Sequence, residues 1–300
     1  MTLLRPILLL LLLLPALAAC EPAAPPPTPT STTPRIAVLS PALAASLTDL
    51  GLERFVVGRH AWDLALSPDL PVVGDTVGGG IDYESLLHVR PTHVFVQLGS
   101  SPPPERLLDL AAHHRWSLLR LEPLSWPDVL DAAAQMAHAV GNKAPARLEV
   151  LRERARRVLA PSPRRASVGT VLLLASLTPP SALGPGSVHH DLLTLLGATP
   201  ALTSGAPYQT LDAEDFRALS PGAIVILAPR ARNLPPANLS TSQVLERLGP
   251  AFPRDLPAIT NLRIAQIDDP LALLPATTLL DTAQQLADLL DRWAATPPKP

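Results

Sequence analysis

One stretch of the chain occurs twice, and this repeat strongly limits the folds available to the sequence. Residues 82–96 read Asp-Tyr-Glu-Ser-Leu-Leu-His-Val-Arg-Pro-Thr-His-Val-Phe-Val, and residues 212–226 read Asp-Ala-Glu-Asp-Phe-Arg-Ala-Leu-Ser-Pro-Gly-Ala-Ile-Val-Ile. The first Asp, the Glu, an apolar residue two positions later, the Pro and the closing aliphatic run coincide at a constant offset. Because Asp favours helix N-caps and Pro ends helices, each copy predicts a short capped helix followed by a buried strand. Two such units, far apart, predict two lobes of similar build.

The segments around the two copies alternate between short apolar runs and helical patterns. Such alternation predicts an α/β fold in which each lobe is doubly wound around a central, mainly parallel sheet. Between the lobes, residues 126–160 follow a helical pattern with a local break at Gly141-Asn142, which predicts a long helical connection. The expected domains are an N-terminal lobe at residues 35–125, this connection, and a C-terminal lobe at residues 161–295.

The first twenty residues have the pattern of a secretory signal. Arg5 supplies positive charge, residues 7–14 are uniformly apolar, and the apolar run is short for a membrane span. Leu17-Ala18-Ala19-Cys20 resembles a bacterial lipobox, in which Cys20 would carry the lipid at the start of the mature protein. Cys20 is the only cysteine of the chain, so it has no disulfide partner within it. An ordinary secretion signal cut elsewhere is the alternative.

Residues 21–34 are rich in proline and threonine and contain almost no large apolar residue. Such a segment cannot bury enough surface to fold, so we expect an extended tether. The sequence therefore predicts an exported domain that is anchored to the cell membrane by lipid and faces the periplasm or the cell exterior.

The composition argues against a nucleic-acid partner. The chain of 300 residues is 47% hydrophobic, which suffices for a globular core, and its net charge is -2. Nucleic-acid-binding proteins concentrate positive charge, and the arginines between Arg147 and Arg157 lie among helix formers, where they predict a solvated face.

Patterns typical of enzymes and metal sites are absent from the sequence. It contains no Gly-x-Ser-x-Gly elbow and no Gly-x-x-x-x-Gly-Lys phosphate loop, and the eight histidines lack His-x-x-x-His spacing. Ser187 close to His189 and His190 suggests a hydrolase, but neighbouring helical side chains point in different directions. We therefore expect no catalytic residues, no metal ligands and no cofactor, and we retain His60 as a candidate pocket histidine.

Glu84 and Glu214 admit two interpretations. Each lies in the first turn of its predicted helix, where a carboxylate complements the helix dipole by about 0.3–1 kcal/mol. Alternatively, two equivalent lobes each present one carboxylate to a two-fold symmetric partner, since arginine–carboxylate pairs give oriented docking.

The scarce aromatic residues mark candidate ligand positions. Trp62 falls in a loop after a predicted strand, and Tyr208 falls in the loop before the second repeated helix. Ligands of α/β lobes bind at strand ends, so both residues are candidate ligand contacts, with capping of the core as the alternative.

From Arg35 to about Leu290 the chain resembles the periplasmic binding proteins of iron–siderophore, haem and vitamin B12 importers. No single motif carries the resemblance, but seven occur in order. They are Arg35-Ile36-Ala37-Val38-Leu39-Ser40-Pro41 with Val57-Gly58; Pro71-Val72-Val73-Gly74; Asp82-x-Glu84 with Arg90-Pro91-x-x-Val94; Gly184-Pro185-Gly186-Ser187; His190-Asp191-Leu192-Leu193 with Gly197; Asp212-x-Glu214 with Ser220-Pro221; and Leu256-Pro257-Ala258-Ile259 with Arg263-Ile264.

The resemblance implies two lobes joined by one long helix that limits closure, with a ligand in the cleft between them. It implies that Glu84 and Glu214 dock to arginines of a dimeric ABC permease. The ligand-binding positions that the resemblance implies, or that are kept from the residue patterns above, are Ser40, His60, Trp62, Ser187 and Tyr208. The chain departs from the family at Ala44-Ala45, where Thr-Glu is common, and it lacks the Gly-x-Asp-Pro-His motif of zinc and manganese importers.

The expected function is that of a monomeric, lipid-anchored substrate-binding protein of an ABC importer. Its ligand would be a small metal chelate, either cobalamin or a ferric siderophore, which it delivers to the permease. Two alternatives remain: an exported enzyme or chelatase-like protein acting in a two-lobe cleft, and a structural lipoprotein whose cleft is empty.

Overall fold

The computed structural model describes residues 33–75, 80–99, 101–141, 144–237, 239–248 and 252–296. Residues 34–300 belong to one compact unit and residues 1–33 to another. The predicted signal segment, Cys20 and nearly all of the predicted tether lie outside the described residues. Within the described ranges, no helix is long and apolar enough to cross a membrane.

The N-terminal lobe is built on a six-stranded sheet with strand order β4-β3-β2-β1-β5-β6, in which only β4 is antiparallel to its neighbour. Apolar residues pack on both faces of this sheet, as the doubly wound prediction requires. Its elements are β1 (Ile36–Val38), α1 (Pro41–Asp49), β2 (Val56–His60), β3 (Val72–Asp75), β4 (Gly80–Ile81), α2 (Tyr83–His88), β5 (His93–Val96), α3 (Glu105–His114) and β6 (Ser117–Arg120).

The C-terminal lobe has a second sheet, with strand order β10-β8-β7-β11-β12 and with β9 paired to β7. The strands β7, β11, β12 and β9 run parallel, whereas β8 and β10 are antiparallel to their neighbours. The elements are β7 (Thr170–Leu177), β8 (Pro180–Leu183), α6 (Val188–Leu195), β9 (Thr199–Pro200), β10 (Tyr208–Thr210), α7 (Ala213–Leu219), β11 (Ala223–Leu227), α8 (Thr241–Arg247), α9 (Pro257–Thr260), β12 (Ile264–Ile267) and α10 (Leu279–Ala295).

The repeated stretch forms the same helix–strand unit in both lobes, as predicted. Asp82 and Asp212 cap α2 and α7, and each carboxylate accepts hydrogen bonds from the backbone N–H groups two and three residues later. Arg90 and Ser220, which precede the two prolines, adopt left-handed backbone with φ of 46° and 43°. This conformation ends each helix and turns the chain into β5 and β11, which are interior strands of the two sheets.

The connection between the lobes differs from the expected single long helix. It consists of two helices, α4 (Trp126–Val140) and α5 (Ala144–Val158). Trp126, near the start of α4, packs in the core of the C-terminal lobe, whereas Met136, near its end, packs in the core of the N-terminal lobe. In α5 the order is reversed, since Leu148 contacts the N-terminal core and Ala155 the C-terminal core.

The predicted break at Gly141 is present, and the connection consists of two antiparallel helices that each span both lobes, not of the one long helix that the resemblance implies. The physical cause lies at Gly141, the C-cap of α4, whose φ of 69° is accessible to glycine and ends the helix.

A third segment also crosses between the lobes. After β12, residues 271–277, which we call the strap, pack against α1 of the N-terminal lobe before α10 begins. Ala276 meets Ala42 and Ala45 in a small buried apolar cluster. Thr277 donates its backbone N–H to Ser46 Oγ at 3.2 Å. The lobes are thus held together by α4, α5 and the strap.

Candidate functional site

The carboxyl ends of the strands in the two sheets face each other. The guanidinium of Arg232, in the loop after β11, donates to the carbonyl oxygen of Leu64, in the loop after β2. In α/β proteins ligands bind at this end of a parallel sheet. We refer to the gap between these two strand edges as the cleft.

Ser40 follows β1 at the cleft edge, but its hydroxyl is already engaged. Its oxygen caps α1 by accepting the N–H of Leu43 at 3.4 Å, and the hydroxyl donates to Gln97 Oε1 at 2.7 Å. The side chain is buried. The structure therefore places Ser40 beneath the surface, where it positions Gln97.

The loop after β5 also lies at the edge of the cleft formed by the N-terminal lobe, and the sequence reasoning missed it. Glu122 fixes the loop by accepting hydrogen bonds from the backbone N–H groups of Leu98 at 2.9 Å and Gly99 at 3.0 Å. The signal that could have identified Gln97 is its position directly after a buried strand in the repeated unit.

His60 is the last residue of β2 and is 2% exposed. Its Nδ1 accepts the backbone N–H of Trp62 at 3.1 Å, whereas its Nε2 is buried and has no hydrogen-bond partner among the described residues. Burial lowers the pKa of His60 by disfavouring the charged ring, and this effect outweighs the carboxylates of Asp75 and Asp63, which act in the opposite direction. The ring is therefore neutral at pH 7.

Trp62 presents the largest exposed aromatic surface at this edge, because 60% of the residue is accessible. Its indole Nε1 donates to Asp75 Oδ1 at 3.2 Å, which orients the ring. An exposed indole that a hydrogen bond holds in place is suited to pack against a flat ligand.

Ser187 is the N-cap of α6 and is half-buried. Its hydroxyl donates to the carbonyl of Gly184 at 2.7 Å, and its oxygen accepts the N–H of His190 at 3.2 Å. These bonds complete a local turn and cap, so the structure gives Ser187 a structural role at this position.

Tyr208 is not in a loop, as the sequence suggested, but begins the edge strand β10. It pairs with Leu183 of β8, and it is 55% exposed. The strand is short and polar, with no hydrophobic alternation, which is why the pattern did not identify it. A hydrogen bond from Gly184 N to the Pro207 carbonyl brings the turn that ends at Ser187 beside the strand that begins at Tyr208. No hydrogen bond among the described residues joins them to the group around Trp62.

The sequence reasoning also missed two arginines at the edge of the cleft formed by the C-terminal lobe. Arg230 and Arg232 lie three and five residues after β11, within the loop that reaches Leu64. Arg230 donates through Nη1 to the Leu234 carbonyl, while its buried Nε forms an ion pair with Asp268 Oδ2 at 4.0 Å and makes no hydrogen bond to any described residue. Their position shortly after β11, the strand of the repeated unit, could have identified them from the sequence.

Glu84 and Glu214 are both exposed in the first turns of α2 and α7. Their surroundings differ in charge. Glu84 shares a surface depression of about 610 Å³ with Arg35 and Arg90, and the side chain of Arg35 donates to the carbonyls of Val89 and Arg90.

At the corresponding positions the C-terminal lobe has uncharged residues. Thr170 is the equivalent of Arg35. The carbonyl oxygen of Thr170 accepts the N–H of Gly222 at 2.8 Å, as the carbonyl oxygen of Arg35 accepts the N–H of Thr92 at 2.8 Å. Ser220 replaces Arg90, and Asp215 adds a further carboxylate beside Glu214. The C-terminal copy is therefore the more acidic of the two.

A separate concavity of about 390 Å³ lies between β12, α8 and α10. Asp268, Arg292 and Trp293 contribute to its lining, and none of the residues predicted to bind ligand does. Within the described ranges no three His, Cys, Asp or Glu side chains are grouped so as to hold a metal ion.

The fold is shared with several solved binding proteins. The periplasmic vitamin B12-binding protein BtuF of Vibrio cholerae superposes with a TM-score of 0.65 at 18% identity, over 87% of this chain and 98% of that one. The periplasmic haem-binding protein HutB of Vibrio cholerae gives 0.65 at 20% identity, over 86% and 99%. A possible iron-binding, periplasmic solute-binding protein from Staphylococcus epidermidis gives 0.62 at 16% identity, over 85% and 98%.

No protein-family model and no curated protein sequence matches the chain. The likeness in structure defines the class of fold: two α/β lobes around a cleft, as in periplasmic substrate-binding proteins.

Proposed function

We propose that this protein is the substrate-binding component of an ABC importer and that it works by recognition and delivery, without catalysis. The observation that carries the proposal is the cleft itself. Two strand edges meet across it at Arg232 and Leu64, and one edge presents the exposed indole of Trp62. Support for the class comes from solved proteins of the same fold whose names describe binding of vitamin B12, haem or iron.

The proposed ligand is a small metal chelate, either cobalamin or a ferric siderophore. An exposed aromatic platform with polar groups beside it suits a large, partly flat ligand with a polar periphery. In this proposal Trp62 and Tyr208 contact the ligand, His60 lies behind Trp62, and Ser40 and Ser187 hold the surrounding turns.

Delivery is assigned to Glu84 and Glu214. Each is exposed at the start of a short helix that precedes an interior strand, so each is held on a rigid element. Carboxylates in such positions can form oriented pairs with arginines of the two permease subunits. We propose that the mature protein is an exported monomer, anchored through lipid on Cys20, with residues 21–34 as its tether.

A fluorescence titration tests the binding function. Full-length protein in detergent is titrated with cyanocobalamin, hemin, ferrichrome and ferrioxamine B while tryptophan emission is followed. Trp62 is the tryptophan at the cleft, whereas Trp116 and Trp126 are buried. A response from at least one chelate that is abolished by Trp62→Phe and retained by Trp116→Phe supports the proposal. No response and no change in calorimetry with any of the four would refute it.

A further inference from the structure

Four neighbouring strands of the N-terminal sheet are each preceded by an exposed arginine. Strands β2, β1, β5 and β6 run parallel, so their amino ends share one edge of the sheet, opposite the cleft. Arg54, Arg35, Arg90 and Arg115 stand one to three residues before these strands, and all four are exposed. Because neighbouring strands are about 4.8 Å apart, the four strand starts fall within about 15 Å across the sheet. We call these four arginines the basic edge.

The charges of the basic edge are not paired within the part of the chain that the structure describes. None of its four arginines is among the side chains that form ion pairs there. By contrast, Arg152, Arg154 and Arg156 on α5 each pair with a carboxylate. A guanidinium stays protonated in proteins, so the basic edge keeps its full positive charge.

The contacts that these arginines do make leave that charge in place. The guanidinium of Arg35 donates to the carbonyls of Val89 and Arg90 at the end of α2, and that of Arg54 lies over the ring of Phe55 at 4.7 Å from its centre. Carbonyl and ring partners carry no net charge. These contacts therefore hold the guanidinium groups in place without neutralising them.

Two carboxylates lie among the arginines and offset them only in part. Glu53 is the neighbour of Arg54 in sequence, and Glu84 lies in the surface depression described above. Arg147 of α5 adds a fifth cation, because a Cβ placed on Gly51, three residues before Arg54, would lie 2.6 Å from its guanidinium carbon. Five cations and two carboxylates leave an excess of positive charge.

The matching edge of the C-terminal lobe has no such group. In the three residues before each of the parallel strands β7, β9, β11 and β12, the only cationic side chain is that of Arg263. Arg263 is buried and donates to three backbone carbonyls. In the repeated unit, Thr170 and Ser220 stand where the N-terminal lobe has arginines. The basic edge is therefore a property of one lobe and not a consequence of the repeated fold.

The chain also enters its N-terminal lobe at this edge. Pro34 directly precedes Arg35, so the proposed tether of residues 21–34 is joined covalently to the basic edge. Fourteen residues span at most about 50 Å when fully extended. A lipid on Cys20 would thus keep the basic edge within that distance of the bilayer.

We propose that the basic edge is a membrane-contacting surface that binds the headgroups of anionic phospholipids. Guanidinium groups pair well with phosphate oxygens, and each basic residue near an anionic bilayer strengthens the attraction about fivefold. The inference rests on the lipid anchor in the proposed function and goes beyond it. The lipid attaches the protein, and the arginines orient it, with the amino ends of the N-terminal strands on the bilayer and the cleft open to solvent.

The test measures orientation on vesicles that contain no permease. Full-length protein, lipidated in cells and purified in detergent, is reconstituted into phosphatidylcholine alone or with one third phosphatidylglycerol. A maleimide fluorophore is placed at Ser117→Cys, where β6 begins beside the basic edge, or at Ser167→Cys, shortly before β7 in the other lobe; both positions are exposed. Quenching by a trace of phosphatidylcholine with a nitroxide on its headgroup reports how close each label lies to the bilayer.

Two sets of substitutions remove the same amount of charge. The edge variant combines Arg35→Gln, Arg54→Gln, Arg90→Gln and Arg115→Gln. The control variant combines Arg157→Gln, Arg164→Gln, Arg217→Gln and Arg247→Gln, at exposed positions outside the basic edge. The comparison of lipids in the wild-type protein needs no substitution at the basic edge, so it stands whether or not the edge variant folds.

We expect phosphatidylglycerol to raise quenching of the label at Ser117→Cys about twofold or more and to leave the label at Ser167→Cys unchanged. The increase should be lost in the edge variant, kept in the control variant, and lost at about 1 M salt, where the Debye length is about 3 Å. Equal quenching in the two lipid mixtures, or equal losses in the two variants, would overturn the inference. Reversal by sodium phosphate at constant ionic strength would indicate a site for free anions instead and would also overturn it.

The lipid anchor is tested separately. The parent protein has Cys20 as its only cysteine, so it takes up the maleimide only if Cys20 carries no lipid. Uptake would refute the anchor. Flotation of that protein with phosphatidylglycerol vesicles, and its loss in the edge variant, would then still support the basic edge, whereas failure to float would overturn it.

Discussion

Thr277 Oγ1 donates a 2.7 Å hydrogen bond to Asp49 Oδ2, and this bond ties the strap of the C-terminal lobe to α1 of the N-terminal lobe. Ser46, one turn earlier on the same helix, accepts the backbone N–H of Thr277. Side chains three residues apart on a helix lie on one face, so Ser46 and Asp49 both accept hydrogen bonds from Thr277 on the same face of α1. Together with the antiparallel pair α4 and α5, this contact fixes the spacing of the two lobes at three places.

Replacing Thr277 with valine keeps the shape of the side chain and removes its hydroxyl. The carboxylate of Asp49 then loses its donor while remaining partly buried, and we expect a loss of about 1–3 kcal/mol in the free energy of unfolding. Thermal denaturation should show a fall in Tm of about 2–4 °C for each kcal/mol. Thr194→Val, at an exposed position on α6, is the control, and an equal loss in both variants would contradict the assigned role.

The pH dependence of stability should carry a signature of Asp49. Burial is the largest influence on this carboxyl and raises its pKa, with Asp281 adding to the rise, while Thr277 and Arg154 oppose it. The folded state therefore binds the proton more tightly than the unfolded state. This contribution to stability is complete below the unfolded pKa of about 3.8 and is lost as the pH rises through the folded pKa.

Asp49→Asn removes that titration and retains an oxygen that accepts from Thr277. We expect the variant to gain stability over wild type at pH 7 and the gain to shrink towards pH 4, as measured by urea denaturation at both values. A gain that is larger at pH 4 than at pH 7 would show that the folded-state pKa is not raised.

The repeated unit could be predicted from the sequence because its determinants are local. Asp82 and Asp212 bond to N–H groups two and three residues away, and the prolines that follow the helices restrict the backbone at their own positions.

The features that were mispredicted or missed depend on contacts between distant residues. The break at Gly141 is visible in the sequence, but nothing within residues 126–160 indicates that the start of α4 and the end of α5 pack in the same lobe, so the antiparallel arrangement could not be predicted. Tyr208 joins β10 because β8 offers it an edge to pair with. The meeting of Arg232 and Leu64, which are far apart in sequence, has no sequence pattern at all.

Lipidation of Cys20 should decide whether the protein is retained at the membrane. If Cys20 carries the lipid, Cys20→Ser will prevent its attachment and move the protein from the detergent phase to the aqueous phase in a Triton X-114 partition of whole cells. The ligand affinity of the released protein should match that of wild type, because Cys20 lies outside the compact unit of residues 34–300. Retention of the Ser variant in the detergent phase would argue for another means of attachment.

The two carboxylates proposed to dock to the permease should be separable from ligand binding. We expect Glu84→Ala combined with Glu214→Ala to abolish uptake of the ligand by whole cells and to leave its affinity for the purified protein unchanged, since both residues are exposed and neither is among the proposed ligand contacts. Glu246→Ala, an exposed glutamate on α8, is the matched control and should transport normally. A loss of affinity in the double variant would show that the two roles are misassigned.

The unequal charge around the two carboxylates allows a sharper version of this experiment. Arg35 and Arg90 partly offset Glu84, whereas the equivalent positions beside Glu214 carry Thr170 and Ser220. Opposite charges steer association, and salt screens this effect over about 10 Å at 0.1 M ionic strength. Glu214→Gln should therefore reduce uptake more than Glu84→Gln at low salt, and the difference should narrow as salt is added. Equal losses at every ionic strength would show that the neighbouring arginines do not influence docking.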